Sequence, residues 1–89
     1  MQKLWGDEAW EDYLYWQSND KKMADKINKL LKSIERDGPV KGIGKPESLK
    51  YRKGYSRRIS ETDRLVYDVF DDILYVYSCK GHYKEKKRK

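Results

Sequence analysis

Two alternating segments near the end of the chain constrain its fold more than any other feature. Residues 63–70 read as a β-strand, and the segment that starts at Ile73 and ends at Cys79 reads as the strand that follows. Asp71-Asp72 between them is typical of a tight turn. The first strand would collect large apolar side chains on one face, namely Leu65, Tyr67 and Val69.

Two helices are predicted upstream of these strands. A short first strand at Lys3-Leu4-Trp5 leads into a helix for which Asp7 is a suitable N-cap, and Asn19-Asp20 interrupts the helical spacing. Asp20 can cap the second helix, which Gly38-Pro39 ends. The apolar residues of this second helix follow the spacing of an amphipathic helix, and they are Ala24, Ile27, Leu30, Leu31 and Ile34.

The segment between the helices and the last strands is rich in turn residues. Residues 40–48 contain Gly42, Gly44 and Pro46 and are expected to form a loop. Residues 49–60 read as a strand pair, or one bent strand, that turns near Lys53-Gly54. The fold class is therefore α+β, with a two-helix hairpin on one face of a small, mainly antiparallel sheet. The other face would be open and would carry arginines.

Composition excludes several kinds of protein. With 89 residues, 37% of them hydrophobic and 13% aromatic, the chain can form one small core. The single cysteine, Cys79, cannot form an internal disulfide and is too little for a zinc site, so core packing is its expected role. Neither a signal peptide nor a membrane-spanning run is recognisable, and we expect a cytoplasmic protein that needs no cofactor.

Positive charge is concentrated in two segments. The net charge is +6, but Lys84 to Lys89 holds five basic residues and one acid. This tail has no apolar residue and is expected to be disordered, so residues 1–83 are interpreted as the single domain. Within that domain, the segment that runs from Lys41 to Arg58 has seven basic residues and one acid, Glu47. A basic segment beside a nearly neutral scaffold favours a polyanionic partner.

Several chemically active side chains should meet on the open face of the sheet. Neighbouring strands lie about 4.8 Å apart, so groups from three strands can surround one phosphate. The set combines a carboxylate, a histidine and several cations, and it comprises Glu47, Arg57, Arg58, Arg64 and His82. Such a set can cleave RNA without a metal. A base takes a proton from a 2′-hydroxyl, cations stabilise the phosphoryl charge, and an acid protonates the leaving oxygen.

Simpler explanations compete with this interpretation. His82 is the only histidine, and a solvated histidine at the end of a strand is common. Asp71-Asp72 suits a turn better than a catalytic dyad, and no Ser-His-Asp arrangement is indicated.

The chain resembles the YoeB-type toxins of the RelE-like superfamily, the ribonuclease component of bacterial toxin–antitoxin pairs. The resemblance covers residues 4–83. Six motifs carry it. Three lie in the first part of the chain: Trp5-x4-Trp10-x-Asp12-Tyr13-x-Tyr15-Trp16-Gln17, Lys26-Ile27-Asn28-x-Leu30 and Gly42-x-Gly44-Lys45-Pro46-Glu47-x-Leu49-Lys50. The other three are Ser56-Arg57-Arg58-Ile59, Arg64-Leu65-Val66-Tyr67 and Cys79-Lys80-x-His82-Tyr83.

The resemblance implies a RelE-like fold and metal-independent cleavage of messenger RNA in the ribosomal A site. It implies that Glu47 is the general base, His82 the general acid and Arg64 the group that stabilises the transition state. Phosphate or base contacts would come from Lys50, Arg58 and Tyr83, and Arg57 joins this substrate-binding set as a neighbouring cation. The implied partners are the ribosome, a YefM-like antitoxin and a second copy of the chain. Operator DNA would be bound only through the antitoxin complex.

The sequence departs from the family pattern in three places. Ser48 stands where proline is usual, the segment between Lys50 and Ser56 is short, and a basic tail follows the His-Tyr pair. That tail would strengthen RNA binding, cover the site, or be an addition to the natural chain. Two other functions also fit this fold. One is a non-catalytic relative that poisons gyrase, and the other is a ribosome- or RNA-binding module without nuclease activity.

Overall fold

The computed structural model of the protein describes residues 1–81. The elements in chain order are β1 (Gln2–Trp5), α1 (Asp7–Asn19), α2 (Lys21–Asp37), β2 (Glu47–Ser48), β3 (Tyr55–Arg58), β4 (Arg64–Phe70) and β5 (Ile73–Ser78). The five strands form one sheet in the order β1-β5-β4-β3-β2. Strands β2 to β5 are antiparallel neighbours, whereas β1 pairs in parallel with β5. The predicted α+β class is confirmed.

The core lies between the two helices and one face of the sheet. The apolar stripe of α2 is buried, with Ile27, Leu30 and Ile34 fully inaccessible to solvent. It packs in one cluster with alternate residues of the central strands, among them Leu65 and Leu74. Each such side chain contributes roughly 1.5–3 kcal/mol when it leaves water, which is why the stripe and the strands associate.

The helix ends follow from local chemistry. The Asp20 carboxylate accepts hydrogen bonds from the backbone N–H groups of Lys22 and Met23, so its predicted role as the N-cap of α2 is confirmed. The prediction that Asp7 caps α1 is wrong. Gly6 is the N-cap, because its N–H donates to the Val76 carbonyl and holds it extended as β1 ends. Asp7 lies in the first turn, where a negative charge suits the helix dipole.

The strand pair that includes Gly54 begins earlier than predicted. Glu47 and Ser48 pair with Ser56 and Tyr55, so β2 falls at the end of the segment expected to be a loop. Gly54 has a φ of +130°, and a Cβ atom there would lie 2.9 Å from the Tyr67 carbonyl oxygen. Only glycine fits this close approach, which explains why the chain turns here.

The two last strands form the hairpin expected from their alternation. Asp71 and Asp72 have φ angles of 54° and 60°, the left-handed pair required by a two-residue hairpin turn. The pairing shifts between Val66 and Tyr67, which are opposite Ser78 and Val76. Tyr77 is therefore the extra residue of a β-bulge. None of the helices in the described part of the chain is long and apolar enough to span a membrane.

Candidate functional site

The sheet face opposite the helices carries a row of aligned residues. Glu47 pairs with Ser56, Ser56 with Val66, and Val66 with Ser78, so the row crosses the sheet from β2 to β5. Arg58 and Arg64 are also direct partners and, being two residues from Ser56 and Val66, share this face. We call it the helix-free face.

The carboxylate and one guanidinium of the predicted set meet on this face. Arg64 Nη1 lies 3.9 Å from Glu47 Oε2 and donates a 3.2 Å hydrogen bond to Ser56 Oγ. The side chain of Arg64 is 23% exposed and that of Glu47 is 59% exposed. A pair this long and this exposed to solvent is weak, so Glu47 is not locked in an ion pair, whereas Arg64 has a second partner in Ser56.

Other predicted cations lie around this pair. Arg58 is exposed at the end of β3, next to Arg64 on the neighbouring strand. Lys50 is exposed in the loop that follows β2. Glu47 thus has Arg64 at 3.9 Å, and Arg58 occupies the strand position paired with Arg64. Among residues 1–81, no cluster of three or more Asp, Glu or Cys side chains could hold a metal ion.

Arg57 does not belong to this set, and the expectation that it contacts the substrate is wrong. It is completely buried on the helix side of the sheet. Its guanidinium donates five hydrogen bonds, to the hydroxyls of Tyr67 (2.8 Å) and Ser33 (3.0 Å) and to the carbonyls of Gly38 (2.9 Å), Lys41 (2.6 Å) and Ile43 (2.9 Å). We call this arrangement the Arg57 hub.

The Arg57 hub holds in place the loop that precedes Glu47 and β2. Three of its acceptors are backbone carbonyls in residues 38–43, which lead from α2 towards β2. Gly42 fits against the hub because a Cβ atom there would collide with Ser33 Oγ and lie 3.0 Å from Arg57 Nη1. Strand alternation was the missed signal, since Arg57 and Arg58 must point to opposite faces.

His82 and Tyr83 lie outside the described residues, so their predicted roles stay predictions. The residues that precede them are held firmly by α1. The Cys79 N–H donates to Asp12 Oδ2 at 3.0 Å, and Trp16 Nε1 donates to the Cys79 carbonyl at 2.8 Å. Burial raises the pKa of Asp12, an effect that the hydrogen bond from Cys79 opposes.

The start of β4 holds the next part of the same segment. Gly81 N–H donates to Asp63 Oδ1 at 2.7 Å, and Arg64 N–H donates to the Gly81 carbonyl at 3.1 Å. Burial tends to raise the pKa of Asp63, but hydrogen bonds from Gly81, Ser60 and Thr62 outweigh it, so the pKa is lowered. These anchors bring the residue directly before His82 against the backbone of Arg64. The sequence carried no signal for them, because each is an ordinary aspartate or tryptophan.

Cys79 has the core-packing role expected of it. It is fully buried, and its Sγ lies 3.6 Å from the Ala9 carbonyl oxygen. Burial and the nearby charge of Asp12 raise the pKa of the thiol to about 12. Such a thiol is a poor nucleophile and metal ligand, which leaves Cys79 a structural residue.

The helix-free face is less open than predicted. Val66 is fully buried although no helix covers it. The loop between β2 and β3, residues 49–54, reaches over the sheet, and the Arg52 guanidinium carbon lies 4.4 Å from the centre of the Tyr77 ring. The face is thus a shallow surface bounded by a loop on one side and by the Glu47–Arg64 pair on the other.

Comparisons with known proteins identify the family of this chain. The family model for the YoeB-like toxin of bacterial type II toxin-antitoxin systems matches residues 5–83. Toxin YoeB of Escherichia coli strain K12 is 49% identical over 85 residues, which cover 93% of this chain and 100% of the relative.

Solved structures show the same fold. A YoeB dimer from Staphylococcus aureus superposes with a TM-score of 0.89 at 54% identity, and a heterotetrameric YoeB-YefM toxin-antitoxin complex from the same organism has a TM-score of 0.88 at 53% identity. Each match covers 93% of this chain and 98% of the other. Sequence and fold lead to one conclusion: the chain belongs to the family of YoeB-like toxins of bacterial type II toxin-antitoxin systems.

Proposed function

We propose that this toxin is an endoribonuclease that cleaves messenger RNA in the ribosomal A site and so inhibits translation. The observation that supports it best is the contact of Glu47 with Arg64 on a basic face. When a 2′-hydroxyl attacks a phosphate, two groups are needed closest to the reacting atoms. One is a carboxylate that acts as the base, and the other is a guanidinium that stabilises the phosphoryl charge.

In this proposal each group has a separate task. Glu47 takes the proton of the attacking 2′-hydroxyl, and its exposure leaves room for the ribose. Arg64 binds the phosphoryl oxygens, where its planar fork suits the charge that develops. Arg58 and Lys50 contact neighbouring phosphates. His82, which follows the anchored Gly81, protonates the leaving 5′-oxygen, and Tyr83 stacks on the substrate base.

Ser56 is an addition to the roles predicted from the sequence. Its hydroxyl accepts from Arg64 Nη1, and it lies beside Glu47 in the strand pairing. It therefore holds the guanidinium next to the carboxylate before substrate arrives, which lowers the cost of ordering Arg64 during the reaction.

The proposal extends to partners. We expect a homodimer and inhibition by a YefM-like antitoxin, because the similar proteins from Staphylococcus aureus form a YoeB dimer and a YoeB-YefM complex. The antitoxin complex would bind operator DNA through the antitoxin. The ribosome and its bound message are the proposed target, and the cytoplasm is the proposed location.

The test is to induce the protein in bacterial cells and map new 5′ ends of messages on ribosomes. We expect wild-type protein to produce ends within codons at the A site. Glu47→Gln keeps the size of the side chain but removes its basicity, so cleavage should fall about 10²- to 10⁴-fold. Glu61→Gln is the matched control, because Glu61 is an exposed carboxylate in the turn between β3 and β4. It should cleave like wild type.

Other outcomes would overturn parts of the proposal. Full cleavage by Glu47→Gln would show that Glu47 is not the base, and full cleavage by His82→Gln would do the same for the acid. Growth arrest without new RNA ends would contradict nuclease activity. Salt-dependent RNA binding would then indicate a binding module, and DNA breaks would indicate a gyrase poison.

A further inference from the structure

Tyr77 presents an aromatic ring on the helix-free face at a position where the sheet is irregular. It is the extra residue of the β-bulge between β4 and β5, since its neighbours Val76 and Ser78 pair with Tyr67 and Val66. Bulges redirect side chains and are frequent beside functional sites. The ring is partly exposed, in contrast to the buried residues on both sides of it in the chain.

A planar cation already occupies the exposed side of this ring. The Arg52 guanidinium carbon lies 4.4 Å from the ring centre. The side chain is exposed, and its Nε donates a hydrogen bond of 3.4 Å to the neighbouring Lys53 carbonyl, at the long limit for such a bond. Arg52 is therefore held on the ring mainly by a cation–π contact that water can replace.

The ring lies at the far end of the row that begins with Glu47. Three strand spacings separate Glu47 from Ser78, the neighbour of Tyr77, which amounts to roughly 14 Å. The row between them consists of Ser56, Val66 and Ser78, which are all buried, so RNA would contact the groups at its two ends. Arg64 lies on β4, the strand next to β5, and is two residues from Val66, the partner of Ser78. An RNA strand with its phosphate at Arg64 would therefore place a neighbouring nucleotide over Tyr77.

We propose that Tyr77 is a stacking platform for a nucleobase of single-stranded RNA next to the cleaved nucleotide, and that Arg52 covers the ring until RNA binds. The proposal rests on the proposed function for the identity of the ligand. The base takes the position of the guanidinium over Tyr77, and Arg52 moves outwards to the phosphates of the strand.

The relative strengths of the two contacts favour this exchange. An exposed cation–π contact corresponds to about 2- to 5-fold in an equilibrium constant, whereas stacking of a base on an aromatic ring corresponds to about 5- to 150-fold. Arg52 gains a phosphate partner when it leaves the ring, so little affinity is lost in the exchange.

The experiment measures binding of a short single-stranded 2′-O-methyl RNA by fluorescence anisotropy at fixed salt. This probe has no 2′-hydroxyl and cannot be cleaved, so its affinity is independent of catalysis. The variants are Tyr77→Ala and Tyr77→Phe, which respectively remove and keep the ring. Phe70→Ala is the matched control, because Phe70 is an aromatic residue at the far end of β4 with 66% exposure. Oligonucleotides with one abasic site at each position complete the set.

We expect Tyr77→Ala to weaken binding about 5- to 150-fold, and Tyr77→Phe and Phe70→Ala to bind within about 2-fold of wild type. At one position of the oligonucleotide, an abasic site should weaken wild type but cause no further loss in Tyr77→Ala. Equal affinity of wild type and Tyr77→Ala would overturn the platform, and so would a wild-type protein that does not bind the probe. If instead Glu47→Gln cleaves normally while Tyr77→Ala shows the expected loss, the nuclease mechanism fails and the platform stands.

Discussion

Replacing the buried Arg57 by methionine tests how the loop before Glu47 is held. Methionine fills a similar volume with an apolar chain but donates no hydrogen bond. The substitution removes all five bonds of the Arg57 hub and leaves three backbone carbonyls and the Tyr67 hydroxyl without this donor, whereas Ser33 Oγ still accepts from the Ile43 N–H. The exposed neighbour Arg58 allows the same substitution outside the hub.

The size of the effect follows from the number and burial of these bonds. A hydrogen bond to a charged group contributes about 1.5–3 kcal/mol, but the five values do not add, because the partly buried carbonyls can bind water instead. Leaving a buried acceptor without its donor costs about 1–3 kcal/mol, and several acceptors of the hub lose their donor at once, so we expect a total of about 3–5 kcal/mol. The free energy of unfolding of an 89-residue domain is only about 4–13 kcal/mol, so the variant should be close to unfolding.

The assay is thermal unfolding followed by circular dichroism, at one pH and one protein concentration. At about 4–8 °C per kcal/mol for a domain of this size, Arg57→Met should lower Tm by about 12–40 °C. Arg58→Met should stay within about 0.5 kcal/mol of wild type. Arg57→Lys keeps the charge but has at most three donors, so its Tm should lie between that of Arg57→Met and that of Arg58→Met.

Two results would refute this reasoning. A loss below about 1 kcal/mol in Arg57→Met would mean that the hub bonds add nothing beyond what water supplies. Equal losses in Arg57→Lys and Arg57→Met would mean that the geometry of the guanidinium matters and that its charge contributes nothing.

Two further predictions concern other buried groups. The pKa of Cys79 is raised from 9.0 to about 12, so at neutral pH its thiolate fraction should be about 1,000-fold smaller than that of an ordinary cysteine. Iodoacetamide should therefore label the native protein slowly and the urea-unfolded protein at the normal rate. Rapid labelling of the native protein would contradict the burial of Cys79. Asp63→Ala removes the acceptor of Gly81, Ser60 and Thr62 and should cost about 1–3 kcal/mol at pH 7. Because the folded pKa of Asp63 lies below 3.8, this difference should be complete above about pH 4 and shrink at lower pH, and a difference that stays constant down to pH 2 would refute the assignment.

The sequence predicted the elements whose pattern is local. The stripe of α2, the caps at Asp20 and Gly38 and the turn at Asp71-Asp72 are set by residues within a few positions of one another, and all are confirmed. The parallel pairing of β1 with β5 joins residues about 70 positions apart, and no local pattern specifies it.

The candidate site was predictable where charge alone defines it. Glu47 and Arg64 were expected to meet, and they do. The prediction for Arg57 was wrong because its positive charge was taken as evidence of exposure. Its five hydrogen-bond acceptors compensate the cost of burying the guanidinium. The anchors of residues 79–81 could not be predicted, since Asp12, Trp16 and Asp63 act through backbone groups of a segment remote in the chain.

The position of β5 between β1 and β4 also determines when the protein can acquire its fold. This strand is synthesised after the other six elements, yet it pairs with β1 and β4 on its two sides, and the Cys79 peptide that follows it bonds to α1. Until it leaves the ribosome, β1 has no neighbour in the sheet and α1 lacks the strand on which it packs. A protein proposed to stop translation thus cannot complete its sheet before the ribosome has synthesised β5.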